Sequence, residues 1–130
     1  MNSVLIIDDD DDIRTNLREQ IRGAGYHVFS ASDGLEGLTT LRFIKPPAII
    51  ILDQKMPMMN AADFLRVKGR VKAWASIPVI VVSADALEVN SPDVVAYLPK
   101  PLNMNRLLAV IQKFDLHPSW PAYSKINQHC

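Results

Sequence analysis

Five side chains in this sequence combine into recognisable chemistry: Asp8, Asp9, Asp53, Ser83 and Lys100. Each stands at or just past the end of a short apolar run. The run at 4–7 ends in Asp8 and Asp9, that at 48–52 in Asp53, and that at 78–82 in Ser83, while a weaker run at 96–98 is followed by Lys100 and Pro101. Carboxylates about 4 Å apart repel by roughly 4 kcal/mol per pair at an effective dielectric of about 20. Asp8, Asp9 and Asp53 brought together therefore need a cation or a shared proton. An all-oxygen set selects a hard divalent ion, and few protein ligands with room for water and phosphate select Mg²⁺. Lys100 supplies positive charge for an anion beside that metal. A metal, an ammonium, a hydroxyl and a free carboxylate together describe phosphoryl transfer to a carboxylate nucleophile.

These residues meet only if the runs are parallel neighbours in one sheet, since a parallel sheet gathers the C-terminal ends of its strands along one edge. The runs at 4–7, 48–52 and 78–82 are continuous and rich in β-branched residues, the pattern of strands buried on both faces. Residues 26–31 are more mixed and predict an edge strand. Helical spacing lies between the runs. Ile13, Leu17 and Ile21 follow Asp residues able to cap a helix, and Gly23 and Gly25 end it. Leu35, Leu38 and Leu41 mark a second helix after Ser32-Asp33, and residues from about 60 to 72 allow a third. Asn103 caps a last helix with Leu107, Leu108, Ile111 and Phe114 on its apolar face. Strands alternating with helices predict an α/β fold with right-handed crossovers.

The 130 residues suit one domain, and 48% apolar content suits a packed core. Fourteen basic residues balance fourteen acidic ones, which gives no general attraction to nucleic acid or anionic membrane. The single cysteine, Cys130, excludes an internal disulfide framework and a cysteine zinc site, and a cytoplasmic setting is the expectation. No signal peptide is read at the N-terminus, and no apolar run is long enough to cross a bilayer. Residues 115–130 carry Trp120 and Tyr123 but no periodicity, and are read as a C-terminal tail too short for an output domain. Asp8, Asp10, Asp12 and Glu19 match four positions of a calcium loop, but Ile13 stands where that loop needs glycine, so the match is set aside.

Four segments carry a family resemblance: Leu5-Ile6-Ile7-Asp8-Asp9-Asp10, Leu52-Asp53-Gln54-Lys55-Met56-Pro57, Val81-Val82-Ser83-Ala84 and Tyr97-Leu98-Pro99-Lys100-Pro101. In that order they resemble the signature segments of response-regulator receiver domains of two-component systems. The resemblance covers about residues 3–114, so the domain is placed at 1–114. It implies a doubly wound five-stranded parallel sheet of order 2-1-3-4-5, flavodoxin- and CheY-like. It implies that Asp53 is the phosphoacceptor and takes its phosphoryl group from a phosphohistidine on a sensor histidine kinase or phosphotransfer protein. Asp9 and Asp53 would bind Mg²⁺ directly, Asp8 through water, and Lys55 through its backbone carbonyl. Ser83 and Lys100 would bind the phosphoryl oxygens, and Ser83 and Tyr97 would form the switch pair that changes partner binding. The Lys100–Pro101 bond would be cis. Such a chain is not an enzyme toward other molecules; it catalyses only its own phosphorylation and dephosphorylation.

The sequence departs from the family in two places. Receivers often follow Met-Pro with glycine and then Asp-Gly, where this chain has Met58-Met59-Asn60-Ala61 and neither glycine, and thirteen residues with Pro92 among them separate Ser83 from Tyr97. The fourth helix is therefore expected to be short, irregular or missing, which predicts a monomer or a non-standard dimer. Lys55 and Asp85 occupy positions that tune dephosphorylation in the family. Lys55 is expected to shield the acyl phosphate, and a half-life unchanged or longer in Lys55→Asn would contradict this. Two other readings remain: a degenerate receiver serving as a constitutive interaction scaffold, and an aspartyl phosphatase of the haloacid-dehalogenase type. The second wants an acid two residues past the nucleophile, where Lys55 stands.

Overall fold

A computed structural model describes residues 2–84 and 91–115. The elements are β1 (Ser3–Ile7), α1 (Asp11–Gly23), β2 (His27–Ala31), α2 (Gly34–Phe43), β3 (Ile49–Asp53), α3 (Ala61–Arg70), a single turn α4 (Lys72–Ala75), β4 (Val79–Ser83), β5 (Val94–Pro99) and α5 (Met104–Asp115). The strands form one parallel sheet in the order β2-β1-β3-β4-β5, as the resemblance implied. The three apolar runs are its central strands, and the mixed segment is an edge.

Alternation within the buried strands divides the core. Leu5, Ile7, Ile50, Leu52, Val79 and Val81 pack on Leu38 and Leu41 of α2 and Phe64 of α3. Val4, Ile6, Ile49, Ile51, Ile80 and Val82 pack on Leu17 and Ile21 of α1 and Leu107 and Ile111 of α5. The apolar residues of the central strands thus meet apolar surface whichever way they point. Among the described residues, no helix is long and apolar enough to cross a membrane.

Short polar side chains start the helices along the edge where the strands end. Asp10 accepts from Ile13 N at 3.0 Å, Asp33 from Glu36 N at 2.8 Å, Asn60 from Asp63 N at 2.9 Å and Asn103 from Arg106 N at 3.0 Å. Each satisfies an N–H that the helix itself leaves open. Asp11 and Asp12 lie in the first turn of α1, where the helix dipole favours them. Gly25 closes the same helix with φ +104.

Two predicted apolar faces are corrected. Leu35 is half exposed, and the seam of α2 runs through Gly34, Gly37, Leu38 and Leu41 instead. Glycine lets the helix approach: a Cβ on Gly37 would stand 2.5 Å from Ile7 Cδ1. Phe114 is 37% exposed, while Leu107 and Ile111 of the same helix are fully buried. The predicted third helix stops at Arg70, and α4 follows after Val71. The fourth helix expected between Ser83 and Tyr97 falls, for residues 85–90, outside the described residues, as do Asp85 and the tail at 116–130. What is described is the span: ten residues join β4 to β5.

The pairing of β4 with β5 carries one irregularity. Val79 pairs with Val94 and Ile80 with Ala96, which leaves Val95 as an extra residue, a β-bulge.

Candidate active site

Every sequence-predicted site residue arrives at the C-terminal edge of the sheet. Asp8 follows β1, Asp53 ends β3, Ser83 ends β4 and Lys100 follows β5. Asp53, Asp8 and Ser83 are buried, whereas Asp9 is exposed. One oxygen from each of Asp8, Asp9 and Asp53 lies within 4.8 Å of the others. Lys100 Nζ donates to Asp53 Oδ1 at 3.1 Å. Asp9, Asp53, Lys55, Ser83 and Lys100 line one cleft of about 400 Å³. Asp8 stands behind that cleft, against a smaller cavity that Asp53 and Lys100 also border. The Lys100–Pro101 bond is cis. Tyr97, in β5, is 37% exposed.

The electrostatics follow from this crowding. Burial pushes the Asp53 carboxyl up to about 6, the charge of Asp8 pushes the same way, and the Lys100 ammonium opposes both. Burial also raises Asp8, against the pull of the Asp10 N–H and Lys100. For Lys100 burial alone would lower the pKa, but the hydrogen bond and charge of Asp53, with Asp8 and Asp9 beyond, raise it overall. Three carboxylates and one ammonium leave an excess of negative charge that a divalent cation fits, and all the ligand atoms offered are oxygen.

The loop after Asp53 is tight. Met59 N donates to Pro57 O at 2.7 Å around Met58, whose φ is +67, a γ-turn in the left-handed region. Met58 stands where the resemblance places glycine, so the chain keeps a glycine-like conformation at a cost of about 1–2 kcal/mol. The loop is not simply stiffened by losing glycine. Gly34 backs it: a Cβ there would meet Met59 O at 2.9 Å.

Three residues escaped the sequence reading. Arg14 donates from Nη1 to the Asp8 carbonyl at 2.7 Å and pairs with Asp11. Lys68 is fully buried on α3, paired with Asp93 and bonded to Ala75 O at 3.2 Å. Gln54, beside Asp53, holds a buried Oε1 with no hydrogen-bond partner among the described residues. A signal existed for Lys68, because Ala61, Phe64, Leu65 and Lys68 fall on one helical stripe. The Arg14–Asp11 pair has ordinary helical spacing, but the bond to Asp8 O has no signature in the sequence.

A parallel sheet of this order with an acidic cluster at its switch point defines a class, and the chain belongs to it: it is a response regulator receiver domain, the family whose model matches residues 4–112. Receivers of this kind are modules of two-component systems. The chain is 36% identical over 117 residues to the transcriptional regulatory protein KdpE of Mycobacterium tuberculosis, covering 84% of this chain and 49% of KdpE. It thus spans about half the length of that relative. Its fold matches the chemotaxis response regulator CheY4 of Vibrio cholerae with a TM-score of 0.78 at 26% identity, covering 88% of this chain and 98% of that one. It also matches, with a TM-score of 0.77 at 20% identity, the receiver domain of the sensor histidine kinase PA1611 of Pseudomonas aeruginosa, covering 87% and 96%. That structure was solved with a magnesium ion coordinated in the active-site cleft.

Proposed function

We propose that this domain is a phosphoacceptor that takes a phosphoryl group onto Asp53 from a phosphohistidine of a sensor histidine kinase or phosphotransfer protein. The observation that carries the reading is the ammonium of Lys100, 3.1 Å from Asp53 Oδ1, beside three carboxylates sharing one 4.8 Å locus. An Asp53 oxygen attacks phosphorus, an O–P bond forms as the N–P bond breaks, and the imidazole nitrogen keeps the electron pair. Lys100 and the Ser83 hydroxyl bind the phosphoryl oxygens as they turn toward the edge of the sheet. Asp9, Asp53 and the Lys55 carbonyl would hold Mg²⁺, with Asp8 acting through water. When bound, the ion would neutralise charge shared between the carboxylates and the incoming phosphoryl group. The magnesium in the PA1611 receiver supports that assignment.

The domain then signals by shape. Ser83 moves toward the phosphoryl group, and the Tyr97 ring, 37% exposed, turns inward and alters the face offered to a downstream protein. In this reading the domain acts in the cytoplasm, as a monomer or non-standard dimer, without itself touching DNA or membrane. KdpE is named a transcriptional regulator, and the balanced charge of this chain supports protein contacts for this domain. A constitutive scaffold would need none of the site groups, and all of them are present.

Incubation with Mg²⁺ and acetyl phosphate is expected to add one phosphoryl group, visible by intact mass and absent in Asp53→Asn. An unmodified wild-type chain with every phosphodonor would overturn the reading in favour of the scaffold. Turnover of diverse phosphate esters would overturn it in favour of a hydrolase.

A further inference from the structure

Arg14 takes no part in the chemistry above, yet it grips the backbone between the two acids of the β1–α1 turn. Its Nη1 donates to the Asp8 carbonyl at 2.7 Å, and its Nη2 pairs with Asp11. The Asp8 carbonyl and the Asp9 N–H belong to one planar peptide, so fixing that oxygen fixes the plane from which Asp9 departs. Asp8 is held at two further points: its N–H donates to Ala31 O at 3.1 Å, and its Oδ1 accepts from Asp10 N at 2.9 Å. Asp9 itself is exposed, and one of its oxygens sits within 4.8 Å of oxygens of Asp8 and Asp53. Mutual repulsion of three carboxylates pushes this turn outward when no cation is present. A charge-assisted bond from the first turns of α1 back to the end of β1 opposes that movement.

We propose that Arg14 is a positioning residue that holds Asp8 and Asp9 in metal-binding geometry before a cation arrives. The inference rests on the metal-site reading above. It makes a prediction opposite in sign to simple electrostatics. A guanidinium near a cation site repels the cation, so by charge alone its removal tightens binding. If Arg14 instead preorganises the turn, its removal weakens binding.

Calorimetric titration of the full chain with Mg²⁺ separates the two. Arg14→Gln is expected to weaken affinity about tenfold, in the range set by residues that orient metal ligands. Arg14→Lys keeps the charge but loses the two-pronged fork, so a smaller loss is expected. In metal-free protein, hydrogen exchange at the Asp9 and Asp10 amides is expected to accelerate in Arg14→Gln while the amides of Leu17 and Ile21 keep their protection. The second pair reports that α1 is intact. Tighter or unchanged Mg²⁺ binding in Arg14→Gln, or unchanged exchange at Asp9 and Asp10, overturns the proposal. If wild-type protein and Asp9→Asn alike take up no Mg²⁺, the metal-site reading fails, and the exchange data alone then decide whether Arg14 holds the turn.

Discussion

In metal-free buffer, Asp53→Asn is expected to gain stability over wild type as pH rises from 4 to 7, by about 2–3 kcal/mol. The folded protein raises the Asp53 carboxyl from 3.8 to about 6, first through burial and then through the charge of Asp8. A carboxyl whose folded pKa lies above its unfolded value binds its proton more tightly in the native state. Between those two values the native state therefore holds more protons, and stability falls as pH rises. At roughly 1.4 kcal/mol per pKa unit, the full span gives about 3 kcal/mol, present as a penalty above pH 6 and absent below pH 4. Asparagine keeps the shape without the charge and carries no such penalty. Mg²⁺ should narrow the gap at neutral pH, because it binds the native wild-type site and so stabilises it. Urea unfolding of both proteins across pH 4 to 8 measures this directly. A difference that does not vary with pH would show that Asp53 ionises freely, and that the carboxylate cluster is not under the strain described.

Lys68→Ala is expected to lower stability by about 3–5 kcal/mol, although the residue lies on α3 and does not line the cleft at Asp53. Lys68 is fully buried, and its ammonium bridges Asp93 and the carbonyl of Ala75. Asp93 is nearly buried too, accepts from Ser91, and passes its backbone carbonyl to Val79 N at 2.9 Å. Removing the ammonium strands a carboxylate that has little access to water. Lys68→Met with Asp93→Asn removes both charges and fills most of the volume, and should recover much of the loss. Chemical denaturation of the two variants decides between this and an ordinary surface pair, for which the loss would stay below about 1 kcal/mol.

The central strands were legible because burial on both faces demands continuous apolar runs, and the 4–7, 48–52 and 78–82 segments have them. Their ends were less so. Asp53 and Ser83 belong to the strands although they are polar, since the ladder is made by backbone groups: Gln54 N still bonds Val82 O, and Lys100 N bonds Ser83 O. The meeting of Asp8, Asp9, Asp53, Ser83 and Lys100 followed from register alone. Contacts that depend on how elements tilt against each other were not legible. Lys68 finds Asp93 across 25 positions of sequence, and Arg14 finds a backbone oxygen, which every residue has. Leu35 was misplaced because two glycines carry the buried seam of α2, and a pattern built on apolar side chains passes over them.

The extra residue in β5 sets a parity. Val95 and Ala96 are consecutive, yet both pack toward α1 and α5, so the strand beyond them runs out of phase with its beginning. Tyr97 consequently pairs with Val81 and points to the side where α2 and α3 lie, the side to which Ser83 also belongs by alternation. A strand of even stride would have sent the phenol to the far side of the sheet and Leu98 out of the core it now completes. The placement of hydroxyl and ring on one face of the sheet thus depends on a miscount of one in the hydrogen-bond ladder, at Val95.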